Sequence, residues 1–511
     1  MPVRRLLVPA AMAAALLSTG APALPAQDLA SFEKRTTVKT LDNGLTVVIC
    51  ERPEAPVFSF FTHVDAGGAQ EVPGITGLAH MFEHMAFKGT DKIGTTNFEA
   101  EKAALAKVET AYGAYDQARR REVGRSDKEI ADKEKAWKDA IAQADTYVVK
   151  NEFGEIIDRE GGVGLNAFTN SDSTGYHYSL PSNRVELWAY LESERFLRPI
   201  LREFYKERDV VMEERRLRTE SNPIGRLIEQ FLSAAYQAHP YHQPVVGYMS
   251  DLKAFSATDA EAFYRKHYMP ANMVVTVVGD VKAAEVVPVV EKYFGRLPKA
   301  SKPDPIRTVE PPQIAEKEVV LVDPSQPFYV EGYHKPGALH PDNAVYDAVG
   351  DILTSGRTSR LYRALVRDKK VAVAAAGFNG FPGQKYPNLF VFFGIAAPDK
   401  TNADVRTAIR AEIDRLKTED VSDADLEMVK TRAKANLIRE LNDNAGLAQQ
   451  LGTAQARYGD WRELFRQVDR IDKVNKADIR RVANETFTSK NCTVGRIETQ
   501  AAAPAKQEKA S

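Results

Sequence analysis

At 511 residues the chain is longer than one ordinary domain and should divide into two or more cores. Its 69 basic residues against 70 acidic leave a formal net charge of −1, which excludes the basic footprint of a nucleic-acid binder. An apolar content of 43% with 27% charged residues is the balance of a soluble globular protein, and two cysteines, Cys50 and Cys492, are too few for a disulfide framework.

The first 26 residues read as a secretory leader: Arg4 and Arg5, an apolar run from Leu6 to Leu17, then small residues and prolines through Ala26. That run is too short to span a bilayer, and no later segment is long and apolar enough. The expectation is a periplasmic or secreted protein with no transmembrane segment. A hairpin follows, Thr37–Leu41 and Leu45–Cys50 around Asp42-Asn43-Gly44, then a strand near Phe58–Val64 and a helix from about Gly77 to Phe87. Residues 97–151 read as an inserted, protruding helical hairpin, broken at Gly124, with Ser126 and Glu129 as a capping box. Strands are expected at Leu165–Thr169 and Gly175–Leu180, and helices near Arg184–Phe196 and Tyr205–Arg218. Pro298, Pro303, Pro305, Pro311 and Pro312 mark a linker at 298–317, and 499–511 read as a disordered tail.

The halves on either side of the linker echo each other. Ser256-Ala-Thr-Asp259 leads to Tyr268, Asn272 and an apolar strand; Asn475-Lys-Ala-Asp478 leads, at identical spacings, to Phe487, Asn491 and another. Such an echo at the end of each half favours duplication. The expected fold class is α+β: two homologous domains, 28–297 and 318–498, each an antiparallel sheet covered by helices.

Chemistry concentrates at His80-Met-Phe-Glu-His84. On a helix, residues four apart share a face, so the two imidazoles can grip one metal ion, with Glu83 beside them to hold a water. Two histidines leave the metal short of a protein ligand. Glu207-Arg-Asp-Val-Val-Met-Glu-Glu214 offers carboxylates seven apart on one helix face, although a solvated charged helix has the same look. His63, His177, His239, His242, His267, His334 and His340 have no ligand spacing to one another.

With Gly77–Thr90, Leu165–Thr169, Glu207–Glu214, His239–Gly247 and His267–Val275 in this order, the chain resembles the pitrilysin/insulinase family of zinc peptidases, which includes bacterial and mitochondrial processing members. The resemblance runs from Thr37 to Ile497. It implies one Zn2+ per chain on His80, His84 and Glu214, with Glu83 as general base and Glu207 as a further carboxylate positioning the metal site. It also implies that an extended peptide substrate pairs with an edge strand at Asn166 and Ala167, and that Arg367 contacts substrate from the second half. The chain departs from the family in two places: the 97–151 insertion, and Ala374, where a tyrosine accompanies the arginine. The second half has no His-x-x-Glu-His. The expected function is a zinc endopeptidase for unfolded or short peptides outside the cytoplasm. Its alternatives are a catalytic subunit needing a paralogous partner in a heterodimer, or a non-catalytic assembly subunit; a homodimer is also open.

Overall fold

The computed structural model describes residues 28–500, so the expected leader and nearly all of the expected tail lie outside the described residues. In the first half β1 (Thr36–Thr40) and β2 (Thr46–Glu51) form the expected hairpin, followed by β3 (Val57–Val64), β4 (Val163–Thr169), β5 (Thr174–Pro181) and β6 (Met273–Gly279). They order as β1-β2-β6-β3-β5-β4. The second half contributes β7 (Lys317–Asp323), β8 (Phe328–Lys335), β9 (Ala372–Phe381), β10 (Asn388–Ala396) and β11 (Cys492–Thr499), ordered β7-β11-β8-β10-β9. Without β1, the two orders match strand for strand. Both sheets are antiparallel except for one pair at the equivalent place, β2 with β6 and β7 with β11. These partners are joined through long helical crossovers, which is what a parallel pair requires.

The internal echo is structural as well. The Asn272 side-chain amide donates to the His267 carbonyl at 2.8 Å and to that of Asp65 at 3.2 Å. Asn491 donates to the Thr486 and His334 carbonyls, both at 2.8 Å. In each half the asparagine ties the end of a helix to a neighbouring strand, and its position five residues after the bonded carbonyl is the same.

The halves exchange covers. Helix Pro223–Ala235 lies on the sheet of the second half, packing Leu227 and Phe231 against Val330, Leu389 and Ile497. Helix Asn444–Tyr458, late in the chain, lies on the first sheet and packs Leu447 and Leu451 with Val48, Phe61, Val274 and Val278. Strand β6 is therefore buried along its whole length, and its run of valines reads as a continuous apolar stretch rather than an alternation. Glycines make the exchange close: a Cβ on Gly452 would stand 2.6 Å from Thr276, and one on Gly332 2.8 Å from Phe231.

The insertion does not protrude. Its helices, Phe98–Arg120 and Asp127–Asp145, bury Ala104, Val108, Tyr112, Trp137 and Ala144 in the core of the first half. The Arg208 guanidinium lies over the rings of Tyr112, Tyr205 and Trp137 at 5.1, 4.8 and 5.7 Å. Arg202, 1% exposed, bonds both Glu101 oxygens at 2.7 and 2.9 Å and donates to the carbonyls of Lys88, Thr90 and Ile93. The helical periodicity was amphipathic because one face is core, not because two helices shield only each other. Ser126 does cap the second helix through the Glu129 N–H, but the Glu129 carboxylate pairs with Arg121 instead of closing the box.

Candidate metal centre and active site

His80, Glu83 and His84 lie on the short helix Leu78–Met85. Its N-terminus is held by Glu71, a buried residue whose two oxygens accept from the Gly77 and Ala79 N–H groups, each at 2.7 Å. Burial pushes the Glu71 pKa up to about 8, and the two backbone donors pull the other way. Gly77 has φ of +96°, and a Cβ there would meet the Val246 carbonyl at 2.8 Å. The helix thus starts flush against the 239–247 segment, whose last residue, Gly247, also accepts from Arg215 at 2.7 Å. Sequence reasoning missed Glu71, because a lone acid six residues upstream of a helix has no spacing that marks it.

Glu207 and Glu214 come from the facing helix Phe204–Arg215, which ends one residue after Glu214 and widens into a π turn at Arg216–Glu220. Nε2 of His80 and Nε2 of His84 each stand 3.6 Å from Oε2 of Glu214, and the three atoms lie within 4.8 Å of one another. It is the one such group found among the described residues. A separation of 3.6 Å is long for a hydrogen bond and close to the about 3.4 Å between two ligands of a tetrahedral zinc. The neighbouring atoms fix the donor set. The His84 Nδ1 faces Glu207 Oε1 at 2.8 Å, which leaves its Nε2 lone pair toward the centre. The other Glu214 oxygen is taken by Arg218 at 2.7 Å. Glu213 is exposed and pairs with Arg216. Two imidazole nitrogens and one carboxylate oxygen fit a zinc ion and leave room for a fourth ligand.

The electrostatics follow from burial and these partners. Burial, then the charges of His84 and Arg218, lower the His80 pKa to about 3, so the ring is neutral, as a ligand must be. For His84 burial also acts downward, but the Glu207 bond and the charges of Glu207, Glu214 and Glu83 outweigh it and raise the pKa. Glu207 is held down to about 2, first by the His84 bond and then by Lys88, whose ammonium stands 2.7 Å away. Burial raises the Glu83 carboxyl above its ordinary range, against the Thr169 hydroxyl and the His84 charge.

Strand β4 is the outer strand of its sheet, and Asn166 and Ala167 line a 590 Å³ cleft with Glu83, His84 and Glu207. Val148 and Val149, at the end of the insertion, form another wall that the sequence did not reveal. The second half supplies none of the residues lining this cleft. Arg367 is exposed and pairs with Asp368 at 2.7 Å, and Ala374 sits in β9. Cys50 and Cys492 are both free and buried, one in each sheet.

Residues 46–118 match the family described as insulinase (peptidase family M16), and residues 254–433 match the peptidase M16 inactive domain. The chain belongs to the M16 peptidase family. The zinc protease PqqE of Helicobacter pylori is 28% identical over 89% of this M16 chain and 90% of its own length. A probable mitochondrial-processing peptidase subunit beta from Arabidopsis thaliana is 24% identical over 90% and 78%. Among solved structures, a protease from Helicobacter pylori has a TM-score of 0.74 at 26% identity, covering 91% of this chain and 99% of that one. The peptidase M16 inactive domain from Pseudomonas fluorescens shares the fold, with a TM-score of 0.72 at 14% identity and the same coverage. No helix among the described residues is long and apolar enough to cross a membrane.

Proposed function

We propose that this chain is a zinc endopeptidase that cleaves unfolded or short peptides outside the cytoplasm, with one zinc held by His80, His84 and Glu214. The observation that carries the reading is the convergence of those three ligand atoms, with His84 and Glu83 lining a cleft that the exposed sheet edge at Asn166 and Ala167 also borders. When bound, zinc supplies Lewis acidity, which polarises a peptide carbonyl and lowers the pKa of water. Glu83 takes a proton from the attacking water on its carboxylate and returns it to the leaving amine. Its half-buried setting raises its proton affinity toward that of a useful acid–base group. Glu207 fixes the His84 ring, and Lys88 keeps Glu207 ionised. The unpaired edge of β4 at Asn166 and Ala167 binds substrate backbone as an added strand, which selects extended chains over folded ones. The extracytoplasmic location rests on the leader-like residues 1–26.

A second reading, a catalytic subunit completed by a paralogous partner, is favoured by two observations: the second half contributes nothing to the cleft, and Arg367 is engaged with Asp368. The test assays purified chain, alone and as recovered from its native source, for metal content and for cleavage of a quenched peptide library. One zinc per chain with cleavage by the lone chain supports the first reading. Zinc without cleavage until a second polypeptide is present supports the other. Glu83→Gln should keep zinc and lose at least about 100-fold in kcat. Full activity in that variant would overturn the mechanism.

A further inference from the structure

A cavity of 540 Å³ lies between the inserted hairpin and the body of the first half, and shares only Glu203 with the lining of the cleft. Its walls include Phe82, Leu105, Ile141, Phe204, Tyr264 and Leu297. Phe82 lies on the helix of His80 and His84, and Phe204 opens the helix of Glu207 and Glu214. The volume is that of a small-molecule site. Mostly apolar walls give water few hydrogen-bond partners, so an apolar chain displaces it favourably.

The charges around the cavity narrow the ligand. Its acids are already engaged: Glu109 by the Tyr205 hydroxyl and the Ala257 N–H, Asp145 by Lys206, Glu203 by Lys88 and Lys206, and Glu261 by Arg265. Its cations Lys206, Arg265 and Arg198 are engaged by Asp145, Glu261 and Asp91. Lys102 alone has no ion-pair partner among the described residues, and it is exposed at the wall. Among the lining cations the uncommitted one is therefore Lys102, at the exposed rim of an apolar interior, while the Glu109 carboxylate, two turns along the same helix, is satisfied by neutral donors alone. We infer that this cavity is a binding site for an amphiphile with one aliphatic chain and one anionic head, such as a long-chain carboxylate, its chain inside and its head at Lys102. The inference does not rest on the proposed peptidase reaction.

The probe is dodecanoate, titrated calorimetrically into the full-length chain below its micellar range, with dodecanol as the uncharged control. Saturable binding at one per chain is expected, weakened at least tenfold by Lys102→Glu, with dodecanol binding unchanged by that substitution. Ala106→Trp, which narrows the cavity from an exposed position, should weaken both ligands, with circular dichroism confirming that the variant is folded. Absence of saturable binding, binding of many molecules per chain, or equal affinity in wild type and both variants would overturn the site. Loss of dodecanoate with unchanged dodecanol in Ala106→Trp would place the chain elsewhere and overturn it equally.

Discussion

At the scale of single residues, the proposed centre depends on groups that are not among its three ligands. Glu207 selects the His84 tautomer through a 2.8 Å bond and is itself held by Lys88. Glu207→Gln should keep the fold and lower zinc affinity about 10–100-fold, read by competition with a chromophoric chelator. Unchanged affinity would mean that the ring is oriented by packing alone. His267 gives a pH-linked expectation remote from the metal. It is 4% exposed, and burial lowers its pKa to about 4, so it is neutral when folded and takes up a proton on unfolding below about pH 6.5. Its contribution is complete above pH 6.5 and is lost as pH falls toward 4. The wild type should therefore lose stability relative to His267→Gln across that window, on the order of 3 kcal/mol by pH 4 in paired thermal melts. Parallel curves would show that the histidine is protonated in the fold. The pairing of His80 and His84, with Glu83 beside them, was legible in the sequence because helical spacing alone puts residues 80 and 84 on one face. Glu214 became legible only through the resemblance, since a carboxylate seven residues from another describes many solvated helices. Glu71 was not legible because a lone acid upstream of a helix carries no marking spacing, and the Gly77–Gly247 contact was not because it joins segments about 170 residues apart.

At the scale of elements, the inserted hairpin reverses an expectation. Its boundaries follow from composition: Asn97 and Ser126 cap, Gly124 breaks, and the helices fill the space between. Its partner does not, since apolar periodicity reports that a face is buried without saying against what. That face meets the helix bearing Glu207 and Glu214 through Tyr112, Trp137, Tyr205 and Arg208. Replacing 104–146 with a short Gly/Ser linker should therefore expose Tyr205 and Arg208, and the product should aggregate or fail to retain zinc in a gel-filtration and metal assay. A soluble, zinc-loaded deletion would show that the hairpin is dispensable. Trp137→Ala, a milder change, should cost about 3–5 kcal/mol in urea unfolding.

At the scale of the whole molecule, the proline-rich segment is a linker in sequence but not in mechanics. Glu310 within it accepts from three successive N–H groups at Gln237, Ala238 and His239, at 2.7–2.9 Å. Nearby, Asp172 of the first half accepts the Gln384 and Lys385 N–H groups of the second, at 2.7 and 3.1 Å, and also the Tyr241 hydroxyl. Lys385 reaches Asp65 at 2.6 Å. Asp172→Ala strands these donors, each lost bond costing about 1–3 kcal/mol. Limited proteolysis should then cut within 298–317 at least several-fold faster than in wild type. An unchanged cutting rate would show that the exchanged helices alone hold the halves together. The duplication was readable in advance from matched caps and asparagines, whereas the exchange of helices was not, because each helix carries an apolar face that would suit either sheet.

That exchange gives the chain a schedule. The wall of the first sheet formed by Val48, Phe61, Val274 and Val278 is closed by residues 444–458, made some 150 residues after the first half is complete. At about 5–20 residues per second the interval is roughly 8–30 s. Throughout it a nearly finished half presents an open apolar surface to whatever surrounds it. A nascent chain stalled near residue 300 is thus a natural client for a holding chaperone, and the last third of the sequence acts as the release signal.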